Sequence, residues 1–336
     1  MKSVANGSAV ASPRVSIGLP VYNGAEYLSD AIESILAQSF ADFELILCDN
    51  ASDDGTEAIC RRFAERDPRV RYIRQPRNLG AAANYNRAFE EARGPYFKWA
   101  AHDDMLAPDF LALCVAELDR DPGCLLVHCG TVVIDETGRE TSCYIDCLAS
   151  GDTDPVARFR TWMRQPRGQC NPVFGLVRRA EMAKTILHGD YIGADRVLLG
   201  EFALRGRVTM IRKGAFLRRI HPGISTRANP DALSLTTWFT GGRTRGLRFK
   251  RWRQLREFGR MIDGVETLSA AERRGAKRVL MRWMLDLRSE FLKELLLPLY
   301  INGQDTALKA WMRRRKAERQ RRRAGVGVSG HRRAQS

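Results

Sequence analysis

The chain has 336 residues, 44% of them hydrophobic, and a formal net charge of +16 at pH 7. That length and apolar content suit one large domain with an appended segment and exclude a peptide-sized binder. The charge is uneven: residues 1–240 carry 29 Lys and Arg against 30 Asp and Glu, whereas residues 241–336 carry 26 against 9, so the body is near neutral and the tail is basic.

Residues 1–14, rich in Ser, Ala, Gly and Asn, are expected to be a disordered N-terminus without a signal peptide. From Val15 short apolar runs alternate with amphipathic stretches, the pattern of strands joined by crossover helices in a mostly parallel sheet. Strands are predicted over 15–21, 43–48, 70–73 and 96–100, and helices over 25–38, from Ser52 to beyond Phe63, and over 80–92. A helix follows over 109–118 and a strand over 125–134. The second half mixes strands over 173–177, 208–211 and 215–220 with helices over 179–187 and 194–204. From Gly241 the character changes to basic helix, with Leu280, Met284, Leu287, Phe291 and Leu295 at helical spacing. Such a helix could pack on the body or lie on a membrane surface. The expected organisation is a 15–240 domain, a basic helical extension over 241–310 and an Arg-rich disordered tail over 311–336.

Eight cysteines in a chain this long do not make a disulfide scaffold. There is no Cys-x-x-Cys pair and no structural zinc pattern, and a reducing cytoplasm fits. The apolar run 295–301 is far shorter than the ~20 residues a bilayer span needs.

Open parallel sheets bind ligands outside the carboxyl ends of their strands. Three polar clusters fall there: Pro20-Val21-Tyr22-Asn23-Gly24, Asp49-Asn50-Ala51-Ser52-Asp53-Asp54-Gly55-Thr56, and His102-Asp103-Asp104. None contains a Gly-x-Gly-x-x-Gly or Walker fingerprint. Two adjacent carboxylates at a strand tip stay ionised most easily beside a hard cation such as Mg²⁺ or Mn²⁺. Capping the following helix would explain the same Asp pair. Asp49 could accept the imide N–H of a uracil or thymine ring, or form an Asx turn. Asp195 opens a helix, where the dipole holds a carboxylate ionised as a general base requires; a plain cap accounts for it equally.

The order and spacing of these clusters, with Arg77-Asn78-Leu79-Gly80-Ala81-Ala82-Ala83-Asn84, resemble the family 2 glycosyltransferases of the GT-A fold over roughly residues 14–226. The resemblance implies that Pro20 and Tyr22 line the nucleotide, that Asp49 binds the base, and that Arg77, Asn78 and Gly80 border the nucleotide pocket. It implies that Asp104, with Asp103, holds a divalent metal, Mn²⁺ or Mg²⁺, against the diphosphate, and that Asp195 is the catalytic base. Two acidic positions of the family pattern are Ala101 and Ala194 here. His221, in Arg218-Arg219-Ile220-His221-Pro222-Gly223, is a candidate third metal ligand or a turn residue, with Arg218 or Arg227 available to phosphate.

The function expected is inverting, non-processive transfer from a UDP- or dTDP-linked sugar to a glycan or lipid-linked acceptor, in surface polysaccharide or glycolipid biosynthesis. The protein would be cytoplasmic, attached to the inner face of the plasma membrane through its basic C-terminus. The alternative is a catalytically silent nucleotide-sugar or glycan-binding protein of the same fold. Nucleic acid is disfavoured as a partner, because Trp252, Trp283 and Trp311 are too sparse for base stacking.

Overall fold

The computed structural model describes residues 12–144, 151–166, 170–229, 232–242 and 249–301. The expected tail over 311–336 lies outside them. Chain contacts divide the molecule into two units, Met1–Leu287 and Arg288–Ser336.

The first unit is α/β, built on a single nine-stranded sheet. Val15–Val21 (β1) is buried along its whole length, as its unbroken apolar run requires of a strand covered on both faces. Leu28–Leu36 (α1) leads to Phe43–Asp49 (β2), then Thr56–Arg66 (α2), Val70–Arg74 (β3), Ala81–Glu90 (α3) and Tyr96–Trp99 (β4). Strand order here is β3-β2-β1-β4, all parallel. The first helix starts three residues later than its apolar spacing suggests. The Gly24 carbonyl accepts from the amides of Tyr27 and Leu28, so the chain makes a turn before the helix begins.

Beyond β4 the sheet is mixed. Met105–Leu106 (β5), Phe110–Arg120 (α4), Cys124–Ile134 (β6), Glu140–Tyr144 (β7), Pro155–Arg164 (α5), Leu176–Arg178 (β8), Arg179–Met182 (α6), Ala194–Arg205 (α7) and Arg207–Arg219 (β9) complete it. β8 runs antiparallel to both β4 and β6, whereas β6 and β9 are parallel. Three expectations are corrected. The strand predicted over 173–177 starts later, at Leu176 in β8, and Val173 and Phe174 belong to a 3-10 turn, Asn171–Phe174, where Pro172 fixes its own φ and offers no N–H to a ladder. The helix predicted over 179–187 stops at Met182, where the Thr185 hydroxyl takes the Met182 carbonyl and Glu201 takes the Ile186 amide. The two strands predicted over 208–220 are one bulged strand, β9, whose register against β6 shifts around Gly130.

Ser225–Ala228 (α8), Ala232–Thr240 (α9), Lys250–Gly264 (α10) and Ala270–Asp286 (α11) follow in the first unit, and Arg288–Ile301 (α12) is the described part of the second. The Phe258 ring of α10 lies 6.0 Å from Phe159 of α5 and 5.8 Å from Trp283 of α11, both edge-on. Ser269 and Glu272 form a capping box at the start of α11. At the other end of the chain, Arg14 pairs with Asp119 at 2.8 Å and Ser12 donates to the Arg93 carbonyl, fastening the entry to β1.

One buried charge stands out in β4. Lys98 is 1% exposed; its Nζ donates to the carbonyls of Trp99 and Phe174 and lies 4.8 Å from the Phe110 ring centre. Burial pushes its pKa down to about 8. Between about pH 8 and the ordinary lysine value the unfolded chain holds a proton that the folded chain lacks, so this group makes folding more favourable as pH rises. Denaturant melts at pH 7.5 and 9.5 should show wild type gaining about 2 kcal/mol relative to Lys98→Met over that interval. A difference independent of pH would mean that Lys98 stays protonated in the fold.

Candidate active site

The carboxyl ends of β1, β2 and β4 open into a cavity of about 1240 Å³. Its first wall is two loops tied to each other. Asn23, at φ +50°, donates its amide to Ser52 Oγ, and its side-chain oxygen accepts from the Asp53 amide. Gly24 donates to Thr56 Oγ1 and Ala25 to Asp54. A Cβ on Gly24 would stand 2.5 Å from the His102 ring, so only glycine lets this loop approach the β4 corner so closely. Pro20 and Tyr22 face the cavity, as expected from sequence.

Asp49 is placed differently. It is fully buried, outside the cavity lining, and accepts from the Ser52 amide at 2.8 Å, Tyr72 Oη at 2.9 Å and Arg74 Nη1 at 2.7 Å. Asn50 and Asn78 line the cavity next to it. Asn78 Oδ1 accepts from Asn50 Nδ2 and from the Gly80 amide, while Asn50 Oδ1 accepts from the Leu79 amide. With both oxygens occupied by donors, the amide orientations are set, and the remaining Asn78 N–H groups are donors available to a ligand carbonyl. Arg77 is exposed and outside the lining. Gly80 has φ +88°, and a Cβ there would lie 2.4 Å from the Gly241 nitrogen. Its role is the close seating of the C-terminal end of α9 beside the start of α3.

At the β4 corner Asp103 and Asp104 both line the cavity. Burial works against ionisation of Asp103, but its hydrogen bond to His221 Nε2 at 3.1 Å and the nearby His102 and His221 leave it below the usual carboxylate range. Burial and then the Asp103 charge push Asp104 well above that range, although its Oδ1 accepts from the Arg219 amide. His221 does not line the cavity; it stands behind Asp103, its ring 4.5 Å from that of Tyr27. Arg219 is buried in the same corner, donating to the carbonyls of Asp103 and Glu136 and to Asp30.

No group of three or more His, Cys, Asp or Glu side chains converges as a metal cage among the described residues. The chemistry of the pair still fits a small hard cation, which takes one or two protein carboxylates and completes its shell with phosphate and water oxygens. A cation against Asp103 and Asp104 would relieve the unfavourable adjacency that now raises Asp104.

Asp195 lines the opposite side, in the first turn of α7. Gly193 caps that helix at φ +85°, and Asp195 Oδ1 accepts from the Arg196 amide. Arg196 turns inward, stacking 4.8 Å from the Trp162 ring centre and donating to the carbonyls of Trp162, Met163 and Gln165. Gln254 of α10 donates to the Gly193 carbonyl. Tyr85, whose pKa is raised first by burial and then by the charges of Asp103, Asp104 and Asp195, lines the same cavity.

The structure therefore brings Pro20, Tyr22, Asn78, Asp103, Asp104 and Asp195 to one cavity, with Asp49, Gly80 and His221 supporting its walls. Tyr85, His188, Trp238, Phe239 and Gln254 also line it and carried no sequence motif. Tyr85 lies only one residue beyond the Arg77–Asn84 cluster.

A family model described as glycosyl transferase family 2 matches residues 16–165, the segment that supplies the first wall and the Asp pair. Over that segment, just under half of the chain, the sequence is similar to glycosyl transferase family 2. An uncharacterized glycosyltransferase of Rickettsia prowazekii is 34% identical over 133 residues, 39% of this chain and 41% of the relative. The chondroitin synthase of Escherichia coli is 36% identical over 127 residues, 38% of this chain and 18% of that protein. The match thus spans less than half of these curated relatives. Among solved structures, Staphylococcus aureus TarS 1–349 in complex with UDP-GlcNAc superposes with a TM-score of 0.62 at 16% identity, covering 86% of this chain and 79% of TarS. The mannosyltransferase PcManGT of Pyrobaculum calidifontis, in complex with GDP-Man and Mn²⁺, gives 0.51 at 16% identity over 92% and 81%. The fold is that of the GT-A glycosyltransferases.

The placement of Asp49 and Asn78 separates a wall residue from a ligand-facing one. Asp49→Asn should cost about 2 kcal/mol of stability, since the buried carboxylate that takes the Ser52, Tyr72 and Arg74 donors loses its charge. Asn78→Asp should leave the melting temperature within a few degrees and weaken UDP binding by about tenfold, as calorimetry would report. The converse pattern would put Asp49 on the base.

Proposed function

We propose that this protein transfers a sugar from a nucleotide-diphosphate sugar to an acceptor hydroxyl, with inversion at the anomeric carbon. The observation that carries this reading is that Asp103, Asp104 and Asp195 line one cavity at the strand ends, with Tyr85 on its wall. A donor lying across that cavity would present its diphosphate to the Asp103–Asp104 corner and its sugar toward Asp195.

In the proposed step, Asp195 takes the proton of the acceptor hydroxyl as that oxygen attacks the anomeric carbon. The bond from that carbon to the diphosphate oxygen breaks on the opposite face, and its electron pair leaves with the nucleoside diphosphate. The Arg196 amide and the Gln254–Gly193 contact hold the Asp195 turn in place. Asp103 and Asp104 would hold Mn²⁺ or Mg²⁺, whose charge, when bound, offsets that of the leaving diphosphate. His221 orients Asp103 from behind. Asn78 supplies N–H donors for a carbonyl of the base, and the donor we propose is UDP- or dTDP-linked. The complexes of TarS with UDP-GlcNAc and of PcManGT with GDP-Man and Mn²⁺ support a nucleotide-sugar donor and a metal.

The acceptor we propose is a glycan or lipid-linked glycan of a surface polysaccharide or glycolipid, taken one transfer at a time on the cytoplasmic side of the plasma membrane. No helix among the described residues is long and apolar enough to cross a membrane. On α11, exposed Lys277, Arg278 and Arg282 alternate with exposed Met281 and Leu285, a cationic and apolar face suited to an anionic bilayer surface.

Asp195→Asn should lower kcat at least 100-fold while calorimetric UDP affinity stays within about twofold of wild type. Retention of wild-type turnover would remove Asp195 from the base position. In a separate assay, the triple reversal Lys277→Glu, Arg278→Glu and Arg282→Glu should reduce co-sedimentation with phosphatidylglycerol vesicles by more than tenfold, at about 1 kcal/mol for each cation lost. Unchanged sedimentation would place any membrane contact elsewhere.

A further inference from the structure

A second cavity, a groove of about 950 Å³, lies between α5 and α11, and none of the proposed catalytic carboxylates borders it. Val156, Arg160, Met163 and Arg164 line it at helical spacing along α5. Arg278, Val279, Arg282 and Trp283 line it from α11. The helices approach tightly at Gly275, where a Cβ would stand 3.1 Å from a Val156 methyl carbon. Val156, Met163 and Trp283 are buried, whereas Arg160, Arg164 and Arg278 are exposed, so the groove has an apolar floor and a guanidinium rim.

Three acids also line the groove, and each already has a partner. The Asp154 side chain accepts from the Val156 amide, Glu272 accepts from the Ser269 amide at 2.8 Å, and Asp286 pairs with Arg282 at 3.2 Å. Among the described residues no acid pairs with Arg160, Arg164 or Arg278. The planar fork of each guanidinium matches two phosphate oxygens at once, so three of them around an apolar floor suit a phosphate attached to hydrocarbon. A hydrocarbon chain asks for no hydrogen bonds, and two helices bonded within themselves offer none; an extended acidic peptide would need a sheet edge to pair with. The Arg-rich segment 311–336 of this chain carries the same sign of charge as the rim and is unsuited to fill it. The volume falls near the top of the ~300–1,000 Å³ typical of small-molecule sites, room for one lipid head and part of its chain. Arg278 and Arg282 belong as well to the exposed face of α11 that carries Met281 and Leu285, so the groove adjoins the surface read above as facing a bilayer.

We propose that the groove between α5 and α11 binds one anionic membrane phospholipid, its phosphate held by Arg160, Arg164 and Arg278 and its acyl chain laid along Val279 and Trp283. This rests on the membrane-surface reading of α11 and adds to it a discrete, saturable site with a second wall on α5; it is independent of sugar transfer in the strand-end cavity. The test is calorimetric titration of the full chain with lauroyl-lysophosphatidylglycerol below its critical micelle concentration, where no bilayer is present. Lauroyl-lysophosphatidylcholine supplies the same chain without net charge, and glycerol 3-phosphate supplies the phosphate without a chain. Wild type should bind the first ligand one-to-one and at least tenfold more tightly than either of the others. The double variant Arg160→Gln with Arg164→Gln, and Arg278→Gln on the other wall, should each lose about tenfold while UDP affinity and melting temperature hold. Lys277→Gln, which changes the outer face but not the groove, should stay within twofold of wild type. Equal affinity of wild type and the α5 double variant would overturn the proposal. So would equally tight binding of the choline lipid, which would make the groove merely apolar, or of glycerol 3-phosphate, which would make it a phosphate site without a lipid. If wild type ignored the monomeric lipid yet still sedimented with phosphatidylglycerol vesicles, the groove would be excluded and the surface reading kept; loss of both would overturn both.

Discussion

Everything at this site depends on how the peptide groups leaving the sheet at the ends of β1 and β2 are satisfied. A strand that ends beside a cavity gives up ladder partners just where water would otherwise compete for them, and buried peptide groups must be paired. Asn84 of α3 meets this need from below, its amide donating to the Cys48 carbonyl at 2.7 Å and reaching that of Val21 at 3.4 Å. From above, the Asn50 amide donates to the same Val21 carbonyl, and the Gln75 amide to that of Asp49. The strand ends are thus closed by neighbouring loops and one helix, and the cavity walls can be exact in position although no regular structure forms them.

This arrangement changes what the polar motifs mean. Ser52, Thr56 and Asp54 each spend a side-chain oxygen on the loop after β1, and Asp49 spends its carboxylate on Ser52, Tyr72 and Arg74. Most of the Asp49–Thr56 run is therefore framework. Its contribution to the cavity is the attitude it gives Tyr22, Asn50 and the backbone of Asn23. A similar division holds at the β4 corner, where Arg219 and His221 from the end of β9 support the carboxylates facing the cavity.

The first half of the fold was legible in the sequence because β1, β2 and β4 are buried along their whole length and so appear as largely apolar runs. β1, β2 and β4 occupy the positions their runs assign, within one residue at either end. The second half was harder because its elements are short or interrupted. β8 has three residues and α6 four, too few for a period to show. α5 was overlooked, yet Asp154 followed by Pro155 is a helix start in plain view: the Asp154 side chain accepts from the Val156 amide and proline takes the first turn. At the site, acidic and amide residues could be picked out by their chemistry. Tyr85 and Phe239 could not, since an aromatic at helical spacing looks like core until the helix is seen to face a cavity, and His188 could not, since it lies in a loop without a motif.

The basic C-terminal region shows how composition and structure carry different information. Its charge marks it off from the body, but α10 and α11 are fitted into the first unit through Phe258 and Trp283, and Gln254 reaches the turn that carries Asp195. A segment read from charge alone as an attachment thus also holds the proposed base in place. The two roles use different faces of the helices: buried Gln254, Phe258 and Trp283 point inward, while Lys277, Arg278 and Arg282 are exposed. One pair of helices thus presents a cationic outer face and, through a side-chain contact of 3.3 Å between Gln254 and the Gly193 carbonyl, supports the turn that carries Asp195.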